Sequence, residues 1–219
     1  METQEALGPY RSTSRHGWLL KASMNSSDAP VDSATAPFEI KLFQARNWGQ
    51  IALPIGGAVI LIVWLRWLGR PWACQSNLLC IWGSSPSENS LRFGDAYSLL
   101  HLSFGILAFA ALHALTSDGR WRESAIWCFG FITFLLWEAI ENVPAVIALF
   151  NSSTGMASYT GDSILNAIGD VQFGAMGFFI AKRCSRQTSA MLVILFDVAT
   201  TILVADGLLL GALRLLGFL

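Results

Sequence analysis

The sequence predicts an all-α polytopic membrane bundle of about five transmembrane helices, on three observations. Only 13% of the 219 residues are charged and 53% are hydrophobic, with a mean hydropathy of +0.50; soluble domains carry about 25% charge. Five stretches are apolar over roughly the 20 residues that cross a bilayer. Nine residues are Trp, whose half-apolar ring and N–H favour the membrane–water boundary. A net charge of −1 and a pI near 6.3 point away from nucleic acid as a partner and leave membrane lipids.

Residues 1–47 read as a disordered or irregular cytoplasmic tail, and residues 48–219 as the transmembrane bundle. The first 37 residues carry Glu2, Glu5, Asp28 and Asp32 and lack the apolar core of a signal peptide. Their Ser, Ala and Thr show neither helical nor strand period. Met24 is an alternative start within this stretch.

The spans are expected at about 50–68, 97–115, 125–149, 163–181 and 189–216, the last long enough to tilt or break. Pro144 should kink the third, since proline removes a helical hydrogen bond. Lys and Arg in short loops set orientation. Lys41, Arg46, Arg120, Arg122, Lys182, Arg183 and Arg186 fall on one side; Arg70, Arg92 and Arg214 fall on the other. The richer side is taken as cytoplasmic. This places the N-terminus inside and the C-terminus outside.

Acids and histidine inside a bilayer cost about 2.5–3.5 kcal/mol each, so they are seldom idle. In the third span Glu138, Glu141 and Asn142 share one helical face by their spacing of three and four. The fourth span opens on Gly161-Asp162 and continues with Asn166 and Asp170. The second opens on Gly94-Asp95, with His101 a turn or more inside. With these spans alternating in direction, Asp95, His101, Glu138, Glu141, Asn142, Asp162, Asn166 and Asp170 converge in the outer half of the membrane. Several carboxylates cannot all be ionised together in low dielectric. Either a divalent metal neutralises them, with His101 as a further ligand, or some stay protonated as general acids. Either arrangement suits the head group of an amphiphile. The competing reading is a hydrogen-bonded lock between helices.

Other features are minor. Asp197 and Asp206 lie nine apart, on opposite sides of a continuous helix; one of them is open to joining the cluster. Cys74 and Cys80 are placed to form a disulfide in an outer loop, whereas Cys128 and Cys184 should be free. Asn151-Ser152-Ser153 fits a glycosylation sequon in an outer loop. Gly105, Gly169, Gly174 and Gly177 would let helices approach closely. No motif supports Ser98 or Ser163 as a nucleophile.

Three runs carry a resemblance: Phe93-Gly94-Asp95-Ala96-Tyr97-Ser98-Leu99-Leu100-His101, Trp137-Glu138-Ala139-Ile140-Glu141-Asn142, and Tyr159-Thr160-Gly161-Asp162-Ser163-Ile164-Leu165-Asn166-Ala167-Ile168-Gly169-Asp170. With Cys74-Gln75 and Trp82-Gly83, they resemble an uncharacterised family of bacterial inner-membrane proteins carrying a domain of unknown function, over about residues 70–182. The resemblance implies localisation and no particular activity. More loosely, the order Asp95, His101, Glu138 or Glu141, Asp162, Asn166 and Gly169 resembles VanZ-like proteins, which implies a cell-envelope role.

Three functions remain open on the sequence. The first is an envelope protein whose polar site binds or modifies an amphiphile. In its enzymatic form Glu138, Glu141 and Asp170 would be bases or metal ligands and His101 an acid or ligand, with Asp95, Asn142, Asp162 and Asn166 binding. The second is an ion or small-solute carrier, and the third a structural or assembly subunit.

Overall fold

The computed structural model describes residues 48–74, 81–116, 123–154 and 159–218. The expected N-terminal tail lies outside the described residues, as does Cys80. Among the described residues seven α-helices follow one another: α1 Trp48–Trp67, α2 Ser98–Leu115, α3 Glu123–Glu141, α4 Pro144–Thr154, α5 Ile164–Arg183, α6 Arg186–Val204 and α7 Leu208–Leu215. A 3-10 turn at Pro86–Glu88 interrupts the loop before α2. No strand is present among the described residues, only an isolated bridge between Trp82 and Gly94.

Four helices, α2, α3, α5 and α6, are long and apolar enough to cross a membrane, and α1 adds a shorter apolar segment at Ala52–Trp67. The distribution of side chains fits that solvent. Ile60 and Ile202 are 71% and 78% exposed, while Asp95, Glu138 and Asn142 are at most 1% exposed. Apolar surface outward and acids inward invert the arrangement of a soluble globule. The chain is a helical membrane protein.

The core gathers at Leu61, Leu65, Phe134, Ile164, Ala167, Val171 and Phe178. Phe178 meets Phe109 edge-on at 5.1 Å and Trp127 at 4.9 Å. Helices α2 and α5 make the closest pair. A Cβ on Gly105 would strike the carbonyl of Gly174, and one on Gly177 the carbonyl of Leu102. The expected close approach therefore holds, and van der Waals contact between backbones supplies the packing that water cannot drive in lipid. Gly169 serves a neighbouring purpose, lying against the Phe93 carbonyl of the loop before α2.

The third expected span is corrected: it stops at Glu141 and a separate helix starts at Pro144. Proline has no N–H for the Ile140 carbonyl, and it disfavours helical geometry at Val143. Pro144 instead takes the first position of α4, where no donor is missed. The carbonyls freed at the break find other donors. Val143 N bonds Ile140 O at 3.0 Å and the Trp64 indole N–H bonds Ala139 O at 3.0 Å; Glu138 O keeps its helical donor, Asn142 N, and accepts Asn142 Nδ2 at 3.1 Å besides. Such substitution is what apolar surroundings demand. The sequon asparagine, Asn151, therefore lies in α4 rather than in a loop, and its Nδ2 donates to Tyr159 O at 2.9 Å.

The fifth span breaks as well. Ala205 takes the left-handed conformation (φ 55°) and ends α6; Gly207 is extended and α7 begins at Leu208. Asp197 Oδ1 accepts Leu208 N at 2.5 Å, and Asp206 pairs with Arg214 at 2.9 Å. The two acids placed on opposite faces of one helix thus both serve the turn between two. Helix α7 packs against α4.

Candidate functional site

The N-terminal end of α5 organises one end of the bundle. Ser163 caps it, accepting Asn166 N at 3.1 Å, a bond typical of this position. The next amides reach back to earlier loops: Ser163 N to Ser90 O at 2.7 Å, Ile164 N to Pro71 O at 2.9 Å and Leu165 N to Trp72 O at 3.0 Å. Asn166 Nδ2 donates to Arg92 O at 2.8 Å and Ser163 Oγ to Leu91 O at 3.1 Å. These bonds satisfy the orphan donors of a helix start and pin the loop of residues 81–97 beside it. The ends of α1 and α3 and the start of α2 meet at the same level.

At that level the polar faces of α2, α3 and α5 converge. His101 stands between two acids, its Nδ1 3.5 Å from Glu138 Oε1 and its Nε2 3.6 Å from Asp170 Oδ2. Both distances exceed the usual range for a nitrogen–oxygen hydrogen bond. Ser98 Oγ donates to Asp170 Oδ1 at 3.2 Å and accepts Asp95 N at 3.0 Å, so Ser98 positions an acid rather than presenting a nucleophile.

A second group surrounds Asp162. Asn142 and Asp162 bond reciprocally: Asn142 Nδ2 donates to Asp162 Oδ2 at 2.9 Å, and Asp162 N to Asn142 Oδ1 at 2.8 Å. Tyr159 donates its hydroxyl to the same Oδ2 at 3.0 Å. Burial pushes the Asp162 carboxyl above its ordinary range. Burial first, and then the Asp162 charge, also raises the Tyr159 hydroxyl, which keeps it a donor. Glu138 Oε2 and Glu141 Oε2 are buried without a hydrogen-bond partner among the described residues. A buried carboxylate oxygen left so is costly and calls for an explanation.

Of the eight residues singled out from sequence, six come together here: His101, Glu138, Glu141, Asn142, Asp162 and Asp170. The other two stand aside. Asp95 takes Ser90 N at 2.7 Å and Tyr97 N at 2.8 Å, fixing the turn into α2. Burial raises its carboxyl against the pull of those amides. Asn166 lies on the cavity wall with its amide holding the loop.

Arg70 and Tyr159 were not singled out. Arg70 bonds the carbonyls of Thr160 and of Asn142, the latter at 2.6 Å. Gly161, at φ +94°, leaves room for its guanidinium. One arginine thus ties the end of α1 to the break after α3 and to the approach to α5. Its place after Gly69 carries no signal of this. Tyr159 had one available, the spacing of three to Asp162.

The site opens into a cavity of about 670 Å³. Its polar floor includes His101, Glu141, Asp162 and Asp170; its walls include Leu100, Phe104, Trp137, Phe150, Val204 and Leu208. Cys74, near this end, is disulfide-bonded. Its anticipated partner Cys80 lies outside the described residues, and Cys128 and Cys184 are free as expected.

A family model described as Protein of unknown function (DUF2585) matches residues 65–218. Similar proteins include a UPF0314 protein of Paracoccus denitrificans, 33% identical over 162 residues, covering 72% of this chain and 82% of the relative. A UPF0314 protein of Novosphingobium aromaticivorans is 32% identical over 181 residues, covering 80% and 90%. UPF0314 protein R03235 of Rhizobium meliloti is 31% identical over 163 residues, covering 74% and 82%. No solved structure matches the chain. The likeness to VanZ-like proteins rests on residue order alone.

Proposed function

The chain belongs to the DUF2585 family of proteins of unknown function, and from that premise we propose that it is a multi-pass inner-membrane protein that binds, and in an enzymatic form modifies, an amphiphile of the cell envelope. The observation that carries this reading is the cavity of about 670 Å³, with apolar walls from α2, α3, α4, α6 and α7 above a floor of acids and histidine. An amphiphile matches both surfaces at once: chains against Phe104, Trp137, Phe150 and Leu208, head group toward His101, Glu141 and Asp170. Apolar walls with few convergent polar groups are the usual make-up of a ligand site. In the enzymatic form Glu141 and Asp170 serve as base or metal ligands and His101 as acid or ligand.

Lys182, Arg183 and Arg186 cluster around the end of α5 remote from the site, which supports a cytoplasmic placement of that end. The site then faces the outer leaflet. A C-terminal reporter that works only in the cytoplasm would contradict this placement.

Lipid analysis of detergent-purified protein tests the main reading. The native chain should retain an amphiphile near one per chain. Phe104→Trp, which fills the cavity from its wall, should release it while the protein stays monodisperse. Absence of any bound amphiphile in the native protein, or equal retention by Phe104→Trp, would sink the reading.

A further inference from the structure

At and just beneath the floor of the cavity lie two sets of metal-ligating side chains that share a buried member, Glu138. One imidazole nitrogen of His101 and single carboxylate oxygens of Glu138 and Asp170 all lie within 4.8 Å of one another. Single oxygens of Glu138, Glu141 and Asp162 do the same. We propose that this floor is a two-cation site, in which the Glu138 carboxylate bridges one divalent ion held by His101 and Asp170 and a second held by Glu141 and Asp162.

Three observations carry it. The first is spacing. Bonds of 2.0–2.2 Å in a tetrahedral shell put neighbouring ligand atoms about 3.4 Å apart. His101 Nδ1 stands 3.5 Å from Glu138 Oε1, too far for a hydrogen bond and right for one edge of such a shell, and one ligand atom from each of His101, Glu138 and Asp170 falls within 4.8 Å of the others. The second is the orphaned oxygens. Glu138 is 1% exposed; its Oε1 faces His101, and its Oε2 has no hydrogen-bond partner among the described residues. A bridging carboxylate uses one oxygen for each ion. Glu141, whose Oε2 is also buried without a partner among the described residues, is a member of the second set. The third is charge. Glu138, Glu141, Asp162 and Asp170 carry four negative charges when ionised, which two divalent ions match and one does not.

The flanking bonds are those of oriented ligands. Ser98 holds Asp170 at 3.2 Å, and Asn142 and Tyr159 hold Asp162 at 2.9 and 3.0 Å, as outer partners of metal ligands commonly do. His101, Glu141, Asp162 and Asp170 line the cavity, so ions have an entry path. A nitrogen with carboxylates suits zinc or iron, and the all-oxygen set suits magnesium or manganese. The site deepens the amphiphile reading, resting on it for the cavity's occupant only.

The test uses the full chain in detergent, stripped with a chelator and reloaded with manganese or zinc alone. Metal is counted by mass spectrometry after desalting. The native chain should retain about two ions, with the paramagnetic spectrum of bound manganese broadened by its neighbour. His101→Gln and Asp162→Asn should each keep about one, and Glu138→Gln fewer than one. The native count decides even if a variant fails to fold: one ion or none overturns the two-cation site, as does an undiminished count in well-folded Glu138→Gln. Amphiphile retained by a protein that takes up no metal overturns this site alone. Two ions in a protein that retains no amphiphile overturn the earlier reading alone.

Discussion

The seam between α2 and α5 and the floor of the cavity, to which both helices contribute beside α3, lie about one turn apart and are built on opposite terms. At the seam Gly105, Gly174 and Gly177 bring backbone against backbone, with no room for a single added carbon. One turn away His101 and Asp170 stand 3.6 Å apart, and a few ångströms further two carboxylate oxygens lack partners. The seam is complete without a ligand; the floor is not. A site can remain chemically unsatisfied in lipid when the elements carrying it are locked by packing that needs nothing from it.

Four changes would break or sharpen that contrast. The largest effect is expected from Gly177→Leu, which forces a side chain into the Leu102 carbonyl. We expect a loss of at least about 3 kcal/mol and little folded protein by size-exclusion chromatography. A variant that elutes and melts like the native chain would show that the seam is not closely packed.

Next comes metal. With a divalent ion at a hundredfold excess over its Kd, the native chain should gain about 2.7 kcal/mol for each ion bound, about 5.4 kcal/mol for two, read as a rise in melting temperature. Glu138→Gln should lose that response without losing stability in the ion's absence, because it removes one of several buried like charges. An ion-dependent rise that survives in Glu138→Gln would contradict the contrast at the floor.

Arg70→Ala leaves the carbonyls of Thr160 and Asn142 without their donor. A loss of about 2 kcal/mol should appear in thermal unfolding, together with a faster amide exchange at residues 159–163. The smallest effect is a gain. Ala205 sits at φ 55° with a Cβ, a conformation costing about 1 kcal/mol outside glycine. Ala205→Gly should raise stability by a fraction of that figure, and a lowered melting temperature would mean that the turn before α7 is not strained.

Much of this was legible in the chain. The apolar runs marked the spans because lipid tolerates few exposed polar side chains. The spacing of Glu138, Glu141 and Asn142, and of Asp162, Asn166 and Asp170, marked facing helices because helical period is local. The small residues of α2 and α5 marked the seam. Local rules also place Pro144 at a disturbance, but they do not say whether the helix bends or stops. It stops because Val143 and Trp64 are there to take the freed carbonyls, and Trp64 comes from another helix. Likewise Asp197 and Asp206 looked incompatible only on the assumption of one unbroken helix.

The sequence by itself determined that this protein lives in a membrane, that it is all-α with several helices of bilayer length, and which polar residues share a helical face. Those properties depend on composition and on periods of a few residues. Only the tertiary structure decided that Glu138 belongs to two ligand sets, that Arg70 ties three segments together, that Asp95 and Asn166 hold the loop beside the site, and that α4 and α7 wall the cavity. Each of these depends on ångström distances between residues far apart in the chain, which no local period encodes.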